Sequence, residues 1–306
     1  MAINAPPLRL RTSSSLSLAP RRGVRRPRAK NNIFGTSYAT LATERRGPVA
    51  VVTLDRPEMH NALDGSLTSE LTAVLQGIEK DQAIRLLLLR GAGKNFCAGA
   101  DLKWMRRVAS LGKAELAAHA RQGSKLLSTL AALSKPTIAW LHGRTSGLGV
   151  GLAACCDIAI AEQEASLALP EAKVGLLPTT AGAYILRAIG ERNARRLFLT
   201  GERISAAEAH RIGLVHDVVP QDAIHKHLDE ILLNLLSAGP RAQANAKALI
   251  RSIAHKPIDA TVIADVTRFT ATLLGSPEAR EGIAAFLNKR PPPWTSKLPP
   301  LMGPTL

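Results

Sequence analysis

Three observations predict an α/β fold. Short apolar runs alternate with longer amphipathic stretches from Val49 to Val219, the alternation then stops, and helical periodicity alone continues to residue 290. Runs of four to six residues that are apolar at nearly every position suit parallel strands covered on both faces by helical crossovers. Val49–Leu54 is the first such run, closed by Asp55-Arg56-Pro57. Asp64 then caps a helix toward Lys80, with Leu67, Leu71, Val74, Leu75 and Ile78 at helical spacing. A strand is predicted at 84–89 and helices around 104–110 and 113–133. Strands at 136–141, 157–161 and 166–169 alternate with a small-residue helix at 147–156 and helices at 180–189 and 191–199. Beyond position 220, helices are predicted at 223–236, 240–254, 259–274 and 276–288, a block that packs on its own core or on a neighbouring subunit.

The chain has 306 residues, 46% hydrophobic and 21% charged, enough for a substantial core, and no apolar run reaches the roughly 18 residues that span a bilayer. Its net charge of +16 is unevenly placed: residues 1–43 hold eight of the 40 basic residues and none of the 24 acidic ones, so half of the excess sits there. That segment has no hydrophobic periodicity, a Pro6-Pro7 pair, serines from Ser13 to Ser17 and a basic cluster from Arg21 to Lys30. It reads as a disordered leader, either a mitochondrial transit peptide or an overlong start. The predicted organisation is a leader (1–43), an α/β core (44–219), a helical region (220–290) and a Pro-rich tail (291–306). Cys97, Cys155 and Cys156 leave one thiol over in any pairing, and the latter two diverge on a helix, which argues against a disulfide framework.

Three segments are placed to carry chemistry. Asn95-Phe96-Cys97-Ala98-Gly99-Ala100-Asp101-Leu102 joins a strand to a helix through small residues, so a ligand can approach amide N–H groups at a helix start. A turn that merely needs close packing would use the same residues. Gly143-Arg144-Thr145-Ser146-Gly147-Leu148-Gly149-Val150-Gly151 repeats the arrangement; it lacks the Lys-Ser/Thr ending of a phosphate loop and the acidic follower of a dinucleotide fingerprint. In Leu169-Pro170-Glu171-Ala172-Lys173, Glu171 follows an apolar stretch. A carboxyl held there has its charged form disfavoured and its pKa raised toward the range useful for proton transfer, although a surface glutamate paired with Lys173 would look alike. No His or Cys spacing suits a metal, and Gly-x-Ser-x-Gly is absent. His60 and His142 beside the motifs read as structural.

Taken in order, Arg56-Pro57-Glu58-Met59-His60-Asn61-Ala62-Leu63, Phe96 to Leu102, the Gly143 to Gly151 turn with Ala154-Cys155-Cys156-Asp157-Ile158, Leu199-Thr200-Gly201-Glu202-Arg203-Ile204, Gly213-Leu214-Val215 and Glu278-Ala279-Arg280-Glu281-Gly282 closely resemble the crotonase (enoyl-CoA hydratase/isomerase) family. The likeness runs from about residue 38 to 294. It implies a crotonase-like spiral of ββα repeats followed by a helical oligomerisation region, a homotrimer or hexamer, and an acyl-CoA thioester substrate with no cofactor and no metal. It also implies that the backbone N–H groups of Ala100 and Leu148 hold the thioester oxygen. Glu171 falls on the second of two family glutamates, while the first falls on Gly151, which has no side chain. The substrate is expected along Met59, Asn61, Ala62, Ala98, Gly99, Asp101, Leu102, Gly147 and Gly149.

A lone glutamate is also what the family's Δ3,Δ2-enoyl-CoA isomerases retain. The runs Gly-Val-Gly-Leu, Gly-Ala-Asp-Leu-Lys-Trp-Met-Arg-Arg and Pro-Glu-Ala-Lys-Val-Gly-Leu-Leu-Pro are similar to bacterial methylglutaconyl-CoA hydratases. Hydration of 3-methylglutaconyl-CoA or a related branched glutaconyl-CoA is therefore the leading expectation and isomerisation the alternative. A distal substrate carboxylate would need a cation, with Arg144, Lys173 and Arg187 as candidates. RNA binding is a remote alternative, since aromatics are 3% of the chain and no stacking platform stands out. The compartment would be the cytoplasm of a bacterium, or the mitochondrial matrix once residues 1–43 are removed.

Overall fold

The structure, a computed structural model, describes residues 33–254 and 256–295, so the expected leader up to position 32 and the Pro-rich tail from 296 lie outside the described residues. β1 (Leu41–Arg46) runs antiparallel to β2 (Val49–Leu54), Leu41 facing Leu54 and Arg46 facing Val49. The charged positions Glu44 and Arg46 conceal this strand from an apolar pattern; they pair with each other at 2.9 Å. Leu41 is buried, and Ile33, Phe34 and Tyr38 pack against the core. The folded body thus starts ahead of the predicted boundary at 43/44.

α1 (Gly65–Lys80) is capped as predicted, Asp64 accepting from the Leu67 N–H at 2.9 Å. β3 (Leu86–Gly91) begins two residues late, because Ile84 closes a turn onto the Asp81 carbonyl (3.1 Å) before the ladder starts. The chain continues through α2 (Leu102–Val108), α3 (Lys113–Ala132), β4 (Thr137–Leu141), β5 (Arg144–Ser146), α4 (Leu148–Cys155), β6 (Ile158–Glu162) and β7 (Ser166–Ala168). A 3-10 turn at Pro170–Val174 leads into α5 (Thr179–Thr200), where Gly190 at φ 74°, ψ 164° joins two helical stretches at the predicted break. Then come β8 (Arg203–Ser205), α6 (Ala206–Arg211), β9 (Asp217–Val219) and the helices α7 (Ile224–Ser237), α8 (Pro240–Ile253), α9 (Ala260–Leu274) and α10 (Pro277–Leu287).

Among the described residues the strands form a six-stranded sheet, β1-β2-β3-β4-β6-β9, and a small sheet, β5-β7-β8. All neighbours in the larger sheet except β1 and β2 are parallel, as helical crossovers require. One face of that sheet meets α1, α3, α4 and α5 over the larger apolar core. The other face, Val51, Leu86, Leu88, Ile138 and Ile160, lies under Ile224, Leu228, Leu232 and Leu236 of α7. The last three helices differ. α8 has no buried residue, α9 only Val262 and α10 only Ala285, while Ile250, Ile263 and Leu274 stand exposed. Arg85 fastens this end of the chain, donating to the carbonyls of Leu236 (3.1 Å), Ala238 (2.5 Å) and Trp294 (2.5 Å), so the start of the Pro-rich tail is docked.

Candidate active site

The first motif leaves β3 and returns against the 56–63 segment, held by buried side chains. Asn61 is fully buried with φ 56°, a conformation that asparagine tolerates better than most residues. Its Oδ1 accepts from the Arg56 N–H (2.9 Å), and its Nδ2 donates to the carbonyls of Ala92 (2.8 Å) and Asn95 (2.7 Å). Asn95 in turn accepts the Arg144 N–H at 2.8 Å and donates to Nδ1 of His60 at 2.9 Å, the structural role read for that histidine. Arg56 bridges Asp64 (3.1 Å) and Asp101 (3.2 Å) and donates to the Ala62 carbonyl (2.5 Å). Asp101 caps α2 by accepting from the Lys103 and Trp104 amides. Burial alone would raise its pKa, but the Trp104 amide, Arg56 and the Lys103 amide together hold the carboxyl below its ordinary range.

A short parallel bridge then fixes the residue between. The Leu63 N–H donates to the Gly99 carbonyl (2.7 Å) and the Asp101 N–H to the Leu63 carbonyl (2.8 Å), so the ladder skips the amide of Ala100. The second turn is tied to the first by the Ser146 N–H, which donates to the Cys97 carbonyl at 2.9 Å. Gly147, at φ 51° and ψ −120°, opens α4 and leaves Leu148 in its first turn, where amides have no intrahelical acceptor. Among the described residues neither the Ala100 nor the Leu148 N–H has a hydrogen-bond partner.

The two turns touch. A Cβ on Gly99 would lie 2.7 Å from the Ser146 carbonyl oxygen, and one on Gly147 would lie 3.8 Å from the Gly99 Cα and 2.8 Å from Oε1 of Glu171. Residues 100, 148 and 171, from three separate segments, therefore converge. Glu171 sits on the 3-10 turn behind buried Leu169. Its Oε2 is buried without a partner, and burial pushes its pKa up, opposed weakly by its own backbone amide. Among the described residues it forms no ion pair, which removes the surface reading: Lys173 instead lies against Gly201. Arg144 and Arg187 are exposed, and among the described residues neither forms a hydrogen bond or ion pair with Glu171.

The expected substrate contacts divide. Gly99 and Gly147 shape the turns themselves. Met59 and Ala98 are partly exposed beside them, and the Ala98 N–H is taken by the His60 carbonyl. Asn61, Ala62 and Asp101 are buried and engaged in bracing the loop. Gly149 is a packing glycine, since a Cβ would lie 2.6 Å from the Cys97 carbonyl oxygen, and Leu102 is 72% exposed on α2. Cys97 donates its thiol to the Asn61 carbonyl, and burial pushes its pKa up to about 12, which disqualifies it as a nucleophile at neutral pH. Arg56 and Asn95 are the braces that sequence reasoning missed. No local pattern marks them, because their partners lie up to 49 residues away.

Gly151 gives the position of the absent acid a physical meaning. A Cβ there would come within 2.5 Å of the Ala181 Cβ and 3.4 Å of Leu127 Cδ1, so α4 and α5 close over the place a longer side chain would need.

Residues 44–297 match the family described as Enoyl-CoA hydratase/isomerase. The chain belongs to that family. It is 32% identical over 263 residues to the crotonyl-CoA hydratase of Syntrophomonas wolfei, covering 85% of this chain and all of that one. It is 35% identical over 253 residues to the 1,2-epoxyphenylacetyl-CoA isomerase of Escherichia coli, covering 81% and 95%. The crystal structure of an enoyl-CoA hydratase from Shewanella pealeana superposes with a TM-score of 0.81 at 38% identity, covering 83% of this chain and 96% of that one. The two sheets and the terminal helices are thus the crotonase architecture expected from the motifs. Hydratases and an isomerase stand at nearly equal identity, so the choice of reaction rests on the site.

Proposed function

We propose that this enzyme adds water across the 2,3 double bond of a 2-enoyl-CoA thioester, with Glu171 as its single acid-base group and the Ala100 and Leu148 amides as its oxyanion donors. The observation that carries this reading is the buried, partnerless Oε2 of Glu171 beside two glycine turns, each followed by a free N–H. Water attacks Cβ as the Glu171 carboxylate takes its proton. Negative charge collects on the thioester oxygen between the two amides, and the protonated carboxyl returns the proton to Cα. Each donor is worth about 3 kcal/mol by comparison with other oxyanion holes. The raised pKa of Glu171 suits a group that must accept and then release the same proton near neutrality. No cofactor is required by these steps.

The finer substrate we infer is 3-methylglutaconyl-CoA or a related branched glutaconyl-CoA, supported by the motif resemblance. Exposed Ile250, Ile263 and Leu274 support a homo-oligomer, trimer or hexamer, in which α8 and α9 meet another copy.

Gly151 favours one second reading, isomerisation of a 3-enoyl-CoA. Moving a double bond needs only one group to lift a proton and set it down, and the α4–α5 contact leaves no room for a second acid. Parallel assays with 2-enoyl- and 3-enoyl-CoA in ¹⁸O-water separate the two. Labelled oxygen in a 3-hydroxyacyl product is the expected result; consumption of the 3-enoyl species without label would replace hydration by isomerisation.

A further inference from the structure

A cavity of about 470 Å³ opens at the carboxyl ends of β3, β4 and β6, on the sheet face opposite Glu171. Side chains alternate along a strand, so Arg90 follows Leu86 and Leu88 onto the face under α7, as Trp140 follows Ile138 and Glu162 follows Ile160. The apolar face therefore ends in a polar row. Thr53 and Arg90 are paired across β2 and β3, and Arg90 and Trp140 across β3 and β4.

The internal contacts leave the terminal amino groups of Arg90 and the buried Nδ1 of His142 unspent. The Arg90 Nε donates to Thr53 Oγ1 at 3.1 Å, its Cζ lies 5.7 Å from the Trp140 ring centre, and Trp140 Nε1 donates to Glu162 at 3.0 Å. Glu162 is thereby engaged by the indole. His225 of α7 stands edge-on to Trp140 at 5.1 Å, and His142 donates its Nε2–H to the Gly93 carbonyl at 3.1 Å. Burial lowers the pKa of both histidines, so they are neutral at pH 7. Among the described residues the terminal amino groups of Arg90 have no hydrogen-bond partner and no carboxylate within 4.0 Å. A half-buried guanidinium whose fork is unfilled, next to Lys94 in a cavity of ligand size, has the charge and the donors to take two oxygens of one anion. Crevices at the carboxyl ends of parallel strands are where open α/β sheets hold ligands.

We propose that Arg90 heads a second ligand site, for an oxyanion, carboxylate or phosphate, held by its two terminal amino groups with Lys94 at the rim and the Trp140 ring as the apolar wall. The site is independent of the reaction assigned to Glu171.

The test uses the full chain and follows tryptophan fluorescence during titration with inorganic phosphate, acetate and benzoate at constant ionic strength set with chloride. At least one of them gives a saturable change at about 10 mM or tighter, and the change is lost in Trp140→Phe while calorimetry still detects binding. Phosphate alone assigns the site to phosphoryl ligands, acetate or benzoate alone to carboxylates. Arg90→Gln weakens binding at least tenfold, with circular dichroism unchanged. Should that variant misfold, Arg90→Lys keeps the charge but not the fork and weakens it severalfold. No saturable response to any of the three, or a folded Arg90 variant with wild-type affinity, overturns the proposal.

Discussion

The two glycine turns place the same kind of group, an unpartnered amide after a glycine, by opposite means. The first turn is held by side chains: Asn61 and Arg56 reach into it from the 56–63 segment, Asn95 within it reaches out to His60 and Arg144, and Asn61 alone makes three hydrogen bonds. The second is held by the lack of side chains. Gly147 has a backbone that other residues avoid, Gly149 presses on the Cys97 carbonyl and Gly151 on Ala181. A loop built from buried polar contacts fails when a partner is removed, whereas a loop built from close approach fails when an atom is added.

The sharpest break in that contrast is Gly147→Ala. The new Cβ meets Oε1 of Glu171 at 2.8 Å and forces a positive φ on a residue that resists it, so steady-state kinetics are expected to show kcat reduced about a hundredfold or more. Asn61→Ala comes next. It strips three hydrogen bonds from the first turn and leaves buried partners unsatisfied, and urea unfolding is expected to show a loss of about 3 kcal/mol with KM raised. Gly151→Ala overpacks the α4–α5 contact and lowers stability by about 1–3 kcal/mol in the same measurement. Leu148→Gly leaves the amide in place and keeps kcat within about threefold, since the donor is main-chain. A large loss there would show that the Leu148 side chain, not its N–H, is what the turn supplies.

Much of this was legible in the sequence because it is local. The Asp64 cap, the stripe from Leu67 to Ile78 and the break at Gly190 follow from spacing alone, and the glycine runs mark both turns. β1 was hidden because Glu44, Arg45 and Arg46 interrupt its apolar pattern and the predicted leader boundary at 43/44 cuts through it. β5 and β8 span three residues each, too short to show a period. The braces of the first turn were illegible for another reason. Arg56 and Asp101 are 45 positions apart, and only the folded chain reveals that they meet. The closed space at Gly151 likewise depends on Ala181, which belongs to another helix.

Glu171→Gln tests the central claim most directly, since it removes the proton carrier and keeps the shape. The account predicts kcat reduced by about 10²–10⁴, with acyl-CoA affinity within a few-fold of wild type. Stability supplies an internal control. Burial raises the folded pKa, so ionised Glu171 weakens the wild type above that pKa, and the penalty fades as pH falls through it toward the ordinary glutamate range. The Gln variant is therefore expected to melt slightly higher than wild type near neutrality and to lose that advantage in acid. Turnover close to wild type in a folded Gln variant would contradict the account, because no other acid-base group is proposed at this site.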